Sequence, residues 1–217
     1  IPSREALAAS VQSEGQRYTN EVRDRGQTQR TAKLELIKTD LAAKGINEFD
    51  SVKDQFKGKT AIDVSGGSQS QFATLAKESR MGELQIDQVL ATFRGMLQQL
   101  DPGKVFFVDG GTQFGIEAMM HEEVGKFNAR LAPGQEGFRI VGVIPEAANP
   151  AEVFGSAKGG ITDYKVGGKG WSDFAAHKLE LVRQHNGVKI AIAGKMFVAD
   201  EFRAVKNAQG PLGVRTV

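Results

Sequence analysis

From Lys59 onward, short runs rich in Val, Ile, Phe and Ala alternate with longer segments of helical periodicity, and a glycine-rich turn marks each switch. No other feature constrains the fold as much. A run of about five apolar residues between turn signals reads as a strand buried on both faces, and such strands alternating with helices build βαβ units around a parallel sheet. The first run, 60–64, ends in Ser65-Gly66-Gly67-Ser68-Gln69, with helices predicted over 70–81 and 86–100. Asp101-Pro102-Gly103 turns into a strand over 104–108, which leads into Asp109-Gly110-Gly111-Thr112-Gln113 and a helix over 114–127. The third strand, 138–145, closes on a proline that cannot donate to a ladder. A glycine-rich loop over 150–170, a helix over 172–185, a strand over 188–193, a helix over 199–208 and the start of a strand at 213–217 complete the pattern. The expected fold is α/β, an open, mostly parallel sheet flanked by helices.

Residues 1–57 differ. Ala6, Leu7, Val11, Tyr18 and Val22 are sparse apolar positions in a polar stretch, followed by Leu34, Leu36, Ile37 and Leu41. They read as an N-terminal helical extension to a domain over 58–217. Gly26 and Gly45 punctuate the helices, Gly45 where a left-handed cap falls, and Ile46, Phe49, Val52 and Phe56 share one side of the next run. The 217 residues, 40% hydrophobic and 25% charged, suffice for one good-sized domain with a real core. The 28 Lys+Arg and 26 Asp+Glu leave a net charge of +2, too small and too interspersed for a nucleic-acid partner. The absence of cysteine excludes disulfides, thiolate nucleophiles, iron–sulfur clusters and Cys-rich zinc sites, and leaves the redox compartment open. No apolar run is long enough for a membrane span, and the first residues lack a signal-peptide profile, so a soluble, cytoplasmic chain is expected. Ile1 in place of Met points to a processed chain or a piece of a larger protein.

In an open parallel sheet, ligands sit beyond the carboxyl ends of the strands. Gly66-Gly67 and Gly110-Gly111 each follow a strand, where glycine admits close approach and amides at a helix start face a phosphate. Ser65, Ser68, Gln69, Thr112 and Gln113 supply further hydrogen bonds, Gly115 closes the second turn, and Asp109 either points at a ribose hydroxyl or caps the turn. Glu117 is the local candidate carboxylate. The chain holds neither the GxGxxG fingerprint nor a Gly-Lys-Ser/Thr loop, which argues against a nicotinamide dehydrogenase or a P-loop ATPase. His121 and His185 have no partner at ligand spacing, so neither a metal nor a resident cofactor is expected. Ser65 and Ser68 lack the elbow of a serine hydrolase. Trp171 offers an indole for stacking a base, and Lys165 and Lys169 bring charge to the loop before it.

The succession TAIDVSGGSQ, KVFFVDGGTQFGIEAMM and FRIVGVIP resembles the SLOG superfamily, which groups the LOG-type phosphoribohydrolases, DNA-processing proteins and the nucleotide-sensing domains of TRPM channels. HKLELVRQ and VKIAIAGKMFVADEF resemble the family's Arg-Lys helix and the strand into its PGGxGTxxE motif, so that the resemblance spans about residues 59–208. In this register Lys178 matches the lysine and Glu201 the last glutamate, while His177 stands in place of the catalytic arginine. The resemblance implies a Rossmann-like fold, a nucleotide or NAD-derived ligand and a homodimer. It makes Glu117, Glu201 and His177 the catalytic candidates for cleavage of an N-glycosidic bond. The lost arginine, and Gly194-Lys195-Met196-Phe197-Val198 in place of most of the phosphate loop, favour a binding module of a larger protein over a hydrolase. A scaffold or toxin-effector module, with residues 1–57 recruiting a partner, is the third reading.

Overall fold

Strand β2 (Thr60–Gly66) is the centre from which the sheet is laid out. The computed structural model describes residues 4–66, 83–111, 115–148, 160–192 and 213–216. To one side of β2 lie β3 (Val105–Asp109), β4 (Ile140–Ile144), β5 (Asp163–Val166) and the two-residue β1 (Asn47–Glu48). To the other lie β6 (Val188–Ile192) and β7 (Gly213–Thr216). Every pairing is parallel, which makes this an α/β, Rossmann-like open sheet.

Alternate residues of the central strands face opposite layers. Ile62, Val64, Phe107, Ile140 and Ile144 pack with Phe93 and Leu97 of α3 (Glu83–Gln99) and with Ile116, Met120 and Val124 of α4 (Gly115–Asn128). Ile37 and Leu41, in the last turns of α1 (Arg4–Ala43), join that layer. Ala61, Phe106, Val108, Val141 and Val143 face the other way, onto Phe49 of α2 (Phe49–Val52), Phe56 of the following 3-10 turn, and Phe174, Leu181 and Val182 of α5 (Trp171–Gln184). With both faces covered, the strands read as continuous apolar runs.

Three expectations need correction. The glycine-rich loop over 150–170 contains β5, a four-residue strand with only two apolar members and glycines on its flanks. Asp163 is held there by Arg139, whose guanidinium also lies 4.6 Å over the Phe56 ring. Gly26 does not punctuate α1, which runs through it; one interior glycine costs about 1 kcal/mol relative to alanine, too little to stop a helix. Gly45 does cap it, at φ 72°, with the Ile46 N–H donating to Leu41 O at 3.0 Å. The segment read as a helical extension also contributes to the sheet, because Asn47 and Glu48 pair with Asp163 and Tyr164, and Phe49 and Phe56 are buried. The helices expected over 70–81 and 199–208 fall outside the described residues.

The upper part of α1 is different in character. Every described side chain from 13 to 33 except Gly26 is exposed. Gln27, Arg30, Thr31 and Leu34 line a cleft of about 230 Å³ with Glu146 and Lys169, which follow the carboxyl ends of β4 and β5. The helix therefore runs antiparallel to the strands and rises past their carboxyl edge. Leu41→Ala is expected to lower stability by about 2–5 kcal/mol, and Val22→Ala, at a position 52% exposed, by under about 0.5 kcal/mol; denaturant melts of the two variants check this.

Candidate functional site

The chain lays β2, β3, β4 and β5 outward in sequence, then returns through α5 to place β6 on the other side of β2. Strand order reverses between β2 and β6, and in such sheets the crevice at the reversal is where ligands bind. Ser65 and Gly66 are still in β2, paired with Ala191 and Ile192. Ser65 thus belongs to a strand face and not, as the sequence led one to expect, to the turn.

That face carries a buried polar cluster. Asp63 stands opposite Lys189 in register, and Lys189 Nζ donates to Asp63 Oδ2 at 2.6 Å. Lys178 reaches in from α5, with Nζ 2.7 Å from Ser65 Oγ and 3.3 Å from Asp63 Oδ1. The Ser65 hydroxyl accepts from Lys189 at 2.8 Å as well and donates to Asp63 Oδ1 at 3.1 Å. All four residues are at most 3% exposed. Taking such charges out of water costs several kcal/mol apiece, offset only by close pairing, so the sharing of Asp63 by two ammonium groups, among the described residues, specifies β2, β6 and α5 against one another.

The opposite face holds a second cluster. Asp109 ends β3 fully buried, one oxygen on His121 Nε2 and the other accepting the Gly111 N–H at 2.7 Å. Glu117 Oε1 accepts the Gly110 N–H at 3.1 Å. Gly111 sits at φ 64°, where a side chain would be strained. Both amides that the sequence offered to a phosphate therefore donate to carboxylates. A phosphate oxygen about 4 Å from Glu117 would meet a repulsion of about 4 kcal/mol at an effective dielectric constant of 20. That exceeds the roughly 1.5–3 kcal/mol of a charged hydrogen bond. The β3 turn thus carries carboxylate oxygens on its described amides. Burial disfavours the charged form of His121, but the Asp109 carboxylate, by its charge and its hydrogen bond, and the charge of Glu117 outweigh this and raise its pKa above the ordinary value.

Among the sequence candidates, Ser65 and Lys178 meet in the first cluster, and Asp109, Gly110, Gly111 and Glu117 in the second, with Gly66 and Gly115 at the adjoining strand and helix ends. Of the two roles open to Asp109, the structure gives it that of holding the turn, through the Gly111 N–H. His177 is exposed, its Cβ against Gly167, and takes no part in either cluster. Lys165 pairs with Asp50 at 2.9 Å and Lys169 lines the α1 cleft. Gly67, Ser68, Gln69, Thr112, Gln113 and Glu201 lie outside the described residues. Among the described residues no three His, Asp or Glu side chains gather as a metal site. Asp63 and Lys189 escaped the sequence reading, which weighed His121 only as a metal ligand; the signal for Asp63 and Lys189 is a charge inside an otherwise apolar strand, which demands a partner. No protein-family model matches the chain, and no curated protein matches it.

Asp63→Asn removes the buried charge that two ammonium groups share and is expected to cost about 3–5 kcal/mol. Asp63→Asn combined with Lys189→Met should cost less than the sum of the two single changes, a non-additivity that denaturant melts measure. The raised pKa of His121 makes its contribution to stability whole below the ordinary value of 6.5 and lost as pH rises through the raised one. The melting temperature of the wild type should accordingly fall relative to His121→Gln across that rise, which thermal melts in a pH series check.

Proposed function

We propose that the chain is a SLOG-like module that binds a nucleoside monophosphate or an NAD- or ADP-ribose-related nucleotide at the carboxyl edge of β2, β3 and β6, within a larger protein. The observation that carries this reading is the pair of buried lysines, Lys178 and Lys189, set around one aspartate at the reversal of strand order. Their ammonium groups, on Ser65 and Asp63 near the end of β2, support a phosphate as the group held there. The β3 turn, with Glu117 and Asp109 on its amides, suits the sugar. This reading differs from the symmetrical one in which both glycine turns hold phosphate. Glu117 also supports the second reading, an N-glycosidase, because an oxocarbenium-like centre needs a carboxylate close by.

The test is a thermal-shift panel of nucleoside monophosphates, NAD, ADP-ribose, cyclic ADP-ribose and inorganic pyrophosphate, each mixture then run on chromatography for released base. Ligand at one hundred times its Kd should add about 2.7 kcal/mol, or roughly 5–10 °C for a domain of this size. Intact ligand with a shift that is lost in Lys178→Met or Gly111→Val supports the binding module. Released base, abolished in Glu117→Gln, supports the glycosidase. No shift and no product would sink both.

A further inference from the structure

We infer that His121 is a proton-controlled clamp on the β3 turn: its charge state sets how firmly Asp109 holds the Gly111 amide, and with it the conformation of the turn. One carboxylate joins the two ends of this device. Asp109 Oδ2 meets the His121 ring on α4 and Oδ1 takes the Gly111 N–H at 2.7 Å, so a change at the ring is felt at a backbone amide two residues beyond the strand. The ring is 5% exposed, which isolates it from solvent screening.

The groups facing His121 can be named element by element among the described residues. From β3 comes Asp109 and from α4 itself Glu117, both negative. β2 turns Ile62 and Val64 to this side, and α3 contributes Phe93 and Leu97. The positive charge on α3, Arg94, is engaged with Glu123 at 2.7 Å, and the acidic Asp87 of the same helix also acts on Arg94. Among the described residues, nothing positive therefore competes with the imidazolium for Asp109. When charged, the ring gives Asp109 a charge-assisted hydrogen bond; when neutral, it gives a weaker one and the carboxylate stands uncompensated beside Glu117. Its raised affinity for a proton agrees with this geometry. The clamp is tight below the ring's raised pKa and slackens as pH rises through it. A turn ordered in advance binds with less ordering cost, so affinity for a ligand falls as the clamp slackens. That last consequence rests on the nucleotide reading, whereas the clamp does not.

The experiment follows the Gly111 amide in proton–nitrogen correlation spectra of the whole chain through a pH series, with the His121 ring observed in parallel. The Gly111 signal should titrate together with the ring, with its inflection above 6.5. It should be flat in His121→Gln, while in Asp109→Asn, where burial acts without the adjoining carboxylate, the inflection should move down. A Gly111 amide that is flat in the wild type, one that keeps its inflection in His121→Gln, or an inflection unmoved in Asp109→Asn overturns the clamp. Should Gly111 titrate as described while no nucleotide shifts the melting temperature, the functional reading falls and the clamp stands.

Discussion

One carboxylate, Asp63, carries the join on which the architecture turns. It faces Lys189 across the β2–β6 pairing and meets Lys178 from the helix that brings the chain back over the sheet. Without that return the strands would run outward in one direction and no reversal crevice would exist. An apolar trio of similar volume would serve stability as well or better, since replacing buried ion pairs with well-packed hydrophobic groups is often neutral or favourable. What the ionic version adds is exclusivity. Lys189 finds its carboxylate only if β6 lies in this register, because a shift of one residue turns its side chain to the opposite layer.

The same alternation separates the two polar clusters. Asp63 and Ser65 look toward α5, and Asp109, on the neighbouring strand, looks toward α4. Adjacent strands are about 4.8 Å apart, so opposite electrical characters sit side by side along a short stretch of the carboxyl edge yet are kept apart by the sheet itself.

Much of this was legible in one dimension. The apolar runs of β2, β3, β4 and β6 and the periodic segments of α3, α4 and α5 announce themselves, because burial on both faces leaves strands no polar alternation to blur them. β5 was hidden because Asp163 and Lys165 face the layer where Arg139 and Asp50 neutralise them, a compensation invisible before the partners are assembled. At the site, Ser65, Asp109 and Lys178 could be picked out as residues near strand ends, or by resemblance, but their roles could not. Those roles depend on which face each residue takes and on what stands opposite: Lys189 lies 126 positions from Asp63, and His121 one helix turn beyond Glu117.

The long first helix has a mechanical consequence. Ile37 and Leu41 anchor its foot in the core, and directly beyond lies β1, the edge strand of the sheet. From Leu41 to Arg4 the axis extends about 55 Å, so a tilt of about 5° at the foot sweeps the far end through roughly 5 Å. Read in the other direction, a load applied at the tip acts on that foot with a large mechanical advantage. The helix is a lever whose fulcrum is the hydrophobic core, and it stands on the same rim as the candidate site.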